Sequence, residues 1–367
     1  MNQSLIVRGG PQEYECKIGA WTDLELHLNR RNIQRVLVLH GEQSWQVAAP
    51  FFPKFKEVQA VFEPYGGQCT DQRIQEVTAS VQQQKSQAII AVGGGTVSDL
   101  GKAVAHRGRV PIIILPTLAA TCAAWTPLSV IYQSNGAMDR YEVFPTANAL
   151  VLLEPRVILA SPISLMIAGI GDTLAKWYEA DAMISQLSVA SMEIQVAAFA
   201  AKKCRDILLE DSLAAIGAMQ TQTLNQAFLN VIETNIFVGG MVGGFGDDYG
   251  RTAGAHSIHD ALTILPQSHQ QLHGNKVAYG VLVQLVIEEK WQEIEFLLPF
   301  YQQIGLPISL KAMKMDHISA EDLQAVAERA CAPGETIFYM KETITPKVVA
   351  DAMQRLEQFV LQSVANQ

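Results

Sequence analysis

Four of the chain's eight histidines, His256, His259, His269 and His273, fall in one segment, AHSIHDALTILPQSHQQLHGNKVAYG. Apolar residues run through it, and a segment that only filled a core would have no use for imidazoles. A metal would. His256 and His259 are three apart and share a face if the segment is helical. Asp260 follows four residues after His256. Pro266 ends or bends that helix, and His273 stands just before Gly274 and a second helical pattern. Imidazoles from the two elements converge if the loop folds back. A zinc-type site with an open position needs a third protein ligand, His or carboxylate. Asp172 in AGIGDTLAKWYEA is the best candidate, with Gly169 and Gly171 leaving space beside it. Taken alone, an aspartate ahead of an apolar helix reads as an N-cap. His259 fits a place behind the ligands or facing a substrate better than a place on the metal. His269 reads as exposed, and His27, His40, His106 and His317 are isolated.

A second motif suits a phosphate. AIIAVGGGTVSDLGKAVA reads as a strand, three glycines and a helix. Gly93, Gly94 and Gly95 permit close backbone approach. The helix beginning near Thr96 aims free N–H groups and its positive dipole end at whatever sits there. A pyrophosphate is the natural guest, although the spacing is not GxGxxG and a tight turn with no ligand is the alternative. Asp99, one turn into the helix, is placed to cap the turn or to meet ribose or nicotinamide groups.

The elements that must carry these groups change character along the chain. Short apolar runs at 35–40, 58–64, 88–92, 111–116 and 147–155 alternate with helical spacing at 71–85 and 98–107. That pattern predicts a parallel sheet covered by helices. Beyond Ser161, a candidate N-cap followed by Pro162, the apolar spacing is helical with no convincing strand. Two domains are expected: an α/β dinucleotide-binding domain over 1–160 and a helical metal- and substrate-binding domain over 161–367, with a ligand cleft between them.

Composition narrows the function. Of 367 residues, 49% are hydrophobic and 17% charged, enough apolar residue to bury sizeable cores. The net charge of −9 and the lack of a Lys/Arg cluster argue against a nucleic-acid partner. Five cysteines with no CxxC argue against a disulfide framework and fit a reducing cytoplasm. The start, MNQSLIVRGG, is not a signal peptide. Residues 110–138 carry no charge, but their prolines, Thr and Ser argue against a membrane span. They read as a strand running into a buried loop beside a ligand.

Five stretches in order, VGGGTVSDLGKA, ILPTLAATCAAWTPLSVIY, AGIGDTLAKWYEA, AGAHSIHDALT and HGNKVAYGVLVQL, carry a resemblance. The chain resembles the iron-containing alcohol dehydrogenase superfamily, in its glycerol dehydrogenase-like branch, and is most similar there to the bacterial hydroxycarboxylate dehydrogenase type. The resemblance implies a Rossmann-like parallel-sheet domain followed by a helical domain, the fold shared with dehydroquinate synthase. It implies metal ligation by Asp172, His256 and His273, one divalent metal with zinc favoured, and a homo-oligomer. It implies nucleotide contacts at Gly94, Gly95, Asp99, Thr117, Thr121, Thr126, Leu128 and Tyr132. Three departures then set the expected substrate and cofactor. Cys122 stands where glycerol dehydrogenases carry an Asp for a substrate hydroxyl, and a thiol accepts a hydrogen bond poorly, with Trp125 adding apolar bulk. After RVLVL come His40, Gly41 and Glu42 in place of an Asp for the adenosine ribose, which favours NADP(H) over NAD(H). Lys176, four after Asp172, replaces a histidine ligand of the iron branch. It is placed to pair with Asp172 or with a substrate carboxylate, or to stand in for the metal's charge. Arg251 is a second carboxylate partner. The expected activity is reduction of a small 2-oxo acid by metal-assisted hydride transfer, with His259 and Lys176 as catalytic candidates. A polyol dehydrogenase using NAD and a dehydroquinate synthase-like lyase are the alternatives.

Overall fold

The computed structural model describes residues 5–315 and 317–365. Its strands are β1 (Tyr14–Cys16), β2 (Arg35–His40), β3 (Gln59–Pro64), β4 (Ala88–Gly93), β5 (Ile112–Pro116), β6 (Leu128–Tyr132), β7 (Met138–Val143) and β8 (Leu150–Leu153). Six of them form one parallel sheet in the order β1-β8-β5-β4-β2-β3. The interior strands β4, β5 and β8 are buried at every residue. That is why they read as unbroken apolar runs: helices cover parallel sheets on both faces. No strand follows β8 among the described residues.

Two strand features were not expected. β1 is three residues long at the sheet edge and carries no apolar run. The uncharged stretch after β5 is not all loop, because β6 and β7 close into an antiparallel hairpin. Alternating burial along β6 gives the period of two, which the surrounding small polar residues obscure.

Helix α1 (Asp71–Gln83) buries Ile74, Val77 and Val81 and is N-capped by Thr70, whose hydroxyl accepts from the Arg73 amide. Helix α2 (Gly95–Gly108) follows the glycine turn. The later helices that matter for chemistry are α3 (Ile163–Ile184), α4 (Gln226–Glu233), α5 (Gly254–Leu262) and α6 (His273–Ile287). Residues Arg8–Pro162 and Gly217–Gly240 make one compact unit, while Ile163–Ile216 and the chain from Met241 onward make another. The sheet-bearing unit therefore includes a helical segment, 217–240, that lies beyond the expected boundary at 160/161. In that segment α4 runs into a π-turn, Thr234–Val238, and the Asn235 side chain donates to the Ala119 carbonyl.

The core of the sheet unit packs Trp21, Leu24 and Leu28 against Val36, Val38, Ile90 and Ile113. Burial of each such side chain is worth about 1.5–3 kcal/mol. The Trp21 indole N–H donates to the Leu152 carbonyl, so its polar edge is satisfied inside the core.

Candidate active site

Small residues beside each candidate ligand bring α3, α5 and α6 together. A Cβ added at Gly171 would lie 2.7 Å from the Gly274 carbonyl oxygen, and one at Gly274 would lie 1.7 Å from that of Ala168. This contact sets Asp172 against His273. A Cβ at Gly280 would lie 2.3 Å from the Ala255 carbonyl oxygen, which sets α6 against the turn that carries His256. Asp172 lies in the middle of α3, so it is not an N-cap.

Asp172, His256 and His273 each aim one ligand atom at a common point, all within 4.8 Å of one another. The Asp172 Oδ1 atom is 3.4 Å from Nε2 of His256 and 3.2 Å from Nε2 of His273. Asp172 is buried, and His273 keeps 45% of its side chain exposed. The group is thus open on one side, as a catalytic metal site with three protein ligands requires. Burial would raise the Asp172 carboxyl, but the bonds to His256 and His273 and the nearby Lys176 charge hold it well below the usual range. One carboxylate and two imidazoles fit a divalent ion of the zinc or iron kind.

A carboxylate stands behind each imidazole. The Nδ1 of His256 is 2.7 Å from Oε2 of Glu179. Burial would lower the His256 value, but the Glu179 and Asp172 carboxylates outweigh it and lift it to about 9. The Nδ1 of His273 meets Nε2 of His259 at 2.9 Å, and Nδ1 of His259 meets Oδ1 of Asp260 at 2.8 Å. Burial, with the His273 charge, pushes His259 down to about 3, so its ring is neutral. Its proton then belongs on Nδ1, facing the carboxylate, and its Nε2 accepts from His273. That order places the His273 proton facing His259 on Nδ1 and turns Nε2 of His273 towards Asp172. His259 therefore supports a ligand. The sequence reading does not single out Glu179, although its spacing of seven from Asp172, two helical turns, was a usable signal.

The cationic candidates lie differently. The Lys176 ammonium donates to the Arg251 carbonyl at 3.3 Å, and its charge helps hold the Asp172 carboxyl low. The Arg251 guanidinium is paired with Asp247 at 2.7 Å. Burial lowers the Lys276 ammonium, opposed by Asp260. His269 is exposed, as its polar surroundings suggest.

The nucleotide candidates sit in the sheet unit. From β2 the chain crosses to β3 on one side, and from β4 it crosses to β5 on the other. The strand order thus reverses between β2 and β4, and ligands of open α/β sheets bind outside the carboxyl ends at such a point. Those ends are His40 and Gly93. The first turn of α2 has no side-chain cap and no acidic residue, so its amides are open to an anion. A narrow crevice over the turn is lined by Gly93, Gly94, Gly95, Ser98, Leu118 and Thr121 among others. The buried Thr117 hydroxyl has no hydrogen-bond partner among the described residues, while its amide donates to the Gly93 carbonyl. An orphaned hydroxyl and uncapped amides fit a phosphate-bearing ligand. The His40 ring stacks on Trp45 with centroids 4.9 Å apart, and Glu42 opens the helix that follows.

Other residues of this set serve the framework. Asp99 turns inward. It pairs with Lys102 at 2.9 Å and accepts from the Val130 amide, so it does not cap the turn. The Lys102 ammonium, 2% exposed, also donates to the carbonyls of Ala123, Thr126 and Leu128. Thr126 and Leu128 thus anchor the loop above the turn through their backbones. The Tyr132 amide donates to the Cys69 carbonyl at the far end of β6. Cys122 is half-buried, and its carbonyl closes a turn onto Trp125 and Thr126. The apolar bulk of Trp125 is buried: its indole donates to the Gly9 carbonyl and its ring packs on Tyr14 and Phe237. A cavity of about 950 Å³ opens at the amino ends of β4, β5 and β8. It holds no site residue, and its Arg31 and Arg107 are paired with Glu13 and Glu142.

Comparison with known proteins agrees with this geometry. Residues 11–155 match the model of the iron-containing alcohol dehydrogenase family. The chain is 37% identical over 351 residues to hydroxycarboxylate dehydrogenase A of Escherichia coli K12, covering 95% of this chain and 97% of that protein. It is 32% identical over 354 residues to glycerol dehydrogenase of Thermotoga maritima, with 95% and 96% covered. The crystal structure of glycerol dehydrogenase from Schizosaccharomyces pombe superposes with a TM-score of 0.87 at 29% identity, covering 98% of this chain and 92% of that one. With a parallel sheet, an uncapped glycine turn and an Asp–His–His cluster in place, the chain belongs to the iron-containing alcohol dehydrogenase family and is a dehydrogenase.

Proposed function

We propose that this dehydrogenase reduces a small 2-oxo acid to the 2-hydroxy acid, with NADP(H) preferred over NAD(H). The observation that carries the proposal is the convergence of Asp172, His256 and His273 beside a lysine. A divalent metal held by these three, zinc before others, would supply Lewis-acid polarisation of the substrate carbonyl. The dinucleotide on the glycine turn would supply the hydride. Asp172 brings a negative charge that lowers the ion's net charge, and His273 leaves the open side by which a substrate enters. Lys176, close enough to bias the Asp172 and Glu179 carboxylates, is the cation best placed for a substrate carboxylate. Arg251, held by Asp247, is less so. His40 at the end of β2, where no aspartate stands, favours a 2′-phosphate. Five free cysteines fit a reducing, cytoplasmic setting.

The test is a zinc-loaded preparation assayed with NADPH and NADH on 2-oxobutyrate and on propanal, and in reverse on glycerol. The 2-oxo acid with NADPH should give the highest kcat/KM. Lys176→Met should raise KM for 2-oxobutyrate about 10-fold, the scale of one charged hydrogen bond, and leave propanal unchanged. Faster turnover of glycerol with NAD⁺ would replace this proposal with a polyol dehydrogenase.

A further inference from the structure

We infer that Glu179 is a positioning residue for the metal site, holding the proton of His256 on Nδ1 so that Nε2 faces the ion unprotonated. The inference rests on the proposed metal role of Asp172, His256 and His273. Glu179 is 1% exposed and lies on α3, seven residues after Asp172. One helix therefore carries a ligand and the group that orients a second ligand. The carboxylate is pinned from both oxygens. Its Oε1 accepts from the amides of Ala253 at 2.7 Å and His256 at 2.9 Å, and its Oε2 lies 2.7 Å from Nδ1 of His256. An ionised carboxylate only accepts, so the ring nitrogen facing it must carry the proton. Carboxylates behind metal-bound imidazoles fix ring orientation and raise ligand basicity. Glu179 also accepts from the Ala253 and His256 amides at the start of α5, where Ala253 offers no side-chain cap. A simple truncation would therefore confuse positioning with folding.

Glu179→Gln separates the two. The amide oxygen keeps the bonds to Ala253 and His256, while its NH₂ now faces Nδ1 and donates to it. That forces the His256 proton to Nε2, where it blocks the ion. Metal-free chains are titrated with Co²⁺ against a chelator, read by visible d–d absorption, with Tm measured on the metal-free form. Co²⁺ affinity should fall about 10–100-fold in Glu179→Gln, with Tm held close to that of the wild type. Glu179→Ala should lower both. Wild-type uptake matched within about twofold by Glu179→Gln overturns this inference alone. A wild type that takes up no Co²⁺, or takes it up equally after Asp172→Ala, overturns the metal reading and this inference with it. If Glu179→Gln does not fold, the ¹⁵N ring shifts of zinc-loaded wild type decide. A proton on Nδ1 of His256 supports the inference, and metal on Nδ1 overturns it.

Discussion

His256 and His259 lie three residues apart, yet their surroundings drive them in opposite directions. Two carboxylates lift His256 to about 9, and burial holds His259 at about 3. Both start from an unfolded value of about 6.5. The raised group contributes stability that is complete below about 6.5 and is lost as pH climbs through about 9. The lowered one contributes stability present above about 6.5 and lost as pH falls towards about 3. Asp172, Glu179 and Asp260, all held below the ordinary carboxylate range, add to the loss in acid. The metal-stripped chain should therefore show its highest urea midpoint near neutrality, with a decline on each side. His256→Asn should flatten the alkaline limb and also weaken the acid one, because His256 helps hold the Asp172 and Glu179 carboxyls low. An alkaline limb unchanged in that variant would mean that the Glu179 and Asp172 contacts do not hold His256 charged.

Helix α6 is the pivot of the candidate metal site, because α3 meets it at Gly274 and α5 meets it at Gly280. These contacts are backbone to backbone, so no side chain can rotate away from an added methyl. Gly280→Ala should cost about 1–3 kcal/mol of stability, the range for overpacking. It should also weaken metal binding, since the strain falls on the carbonyl of Ala255, next to His256. Denaturant midpoints and Co²⁺ titration measure the two effects. A midpoint equal to that of the wild type would show that the helices separate without penalty. On the sheet side the comparable device is electrostatic. Lys102 and Asp99 tie the loop from Ala123 to Val130 onto α2 through buried bonds. The pair in DLGK stands at a spacing of three, on a helical face that is buried rather than solvated.

At the scale of the whole molecule the chemistry is divided between two compact units. The glycine turn belongs to Arg8–Pro162 with Gly217–Gly240, and the three metal candidates belong to the other unit. Losing one half should therefore spare the other. Asp172→Ala should reduce turnover ~1000-fold, the worth of several kcal/mol of Lewis-acid stabilisation. NADPH binding, followed by its fluorescence, should stay within about twofold, since the nucleotide groups lie outside that unit. A large loss of NADPH affinity in this variant would place the nucleotide on the metal unit.

By itself the sequence determined what depends on local pattern. Unbroken apolar runs identify β2, β4 and β5, because strands buried on both faces need no polar alternation. Three glycines between a strand and a helix mark a turn open to a phosphate, because only glycine leaves that backbone open. The clustered histidines suggest a metal by type, and the family resemblance adds Asp172 to His256 and His273 as a proposed ligand. Tertiary structure alone decided what depends on partners distant in the chain. Glu179 meets His256 across 77 residues, and Asn235 meets Ala119 across 116. Trp125 read only as apolar bulk near Cys122, and packing encloses it with Gly9, Tyr14 and Phe237. Asp99 looked available to a ligand until Lys102 claimed it. A side chain's type states which bonds it can make, and only packing chooses which of them it makes.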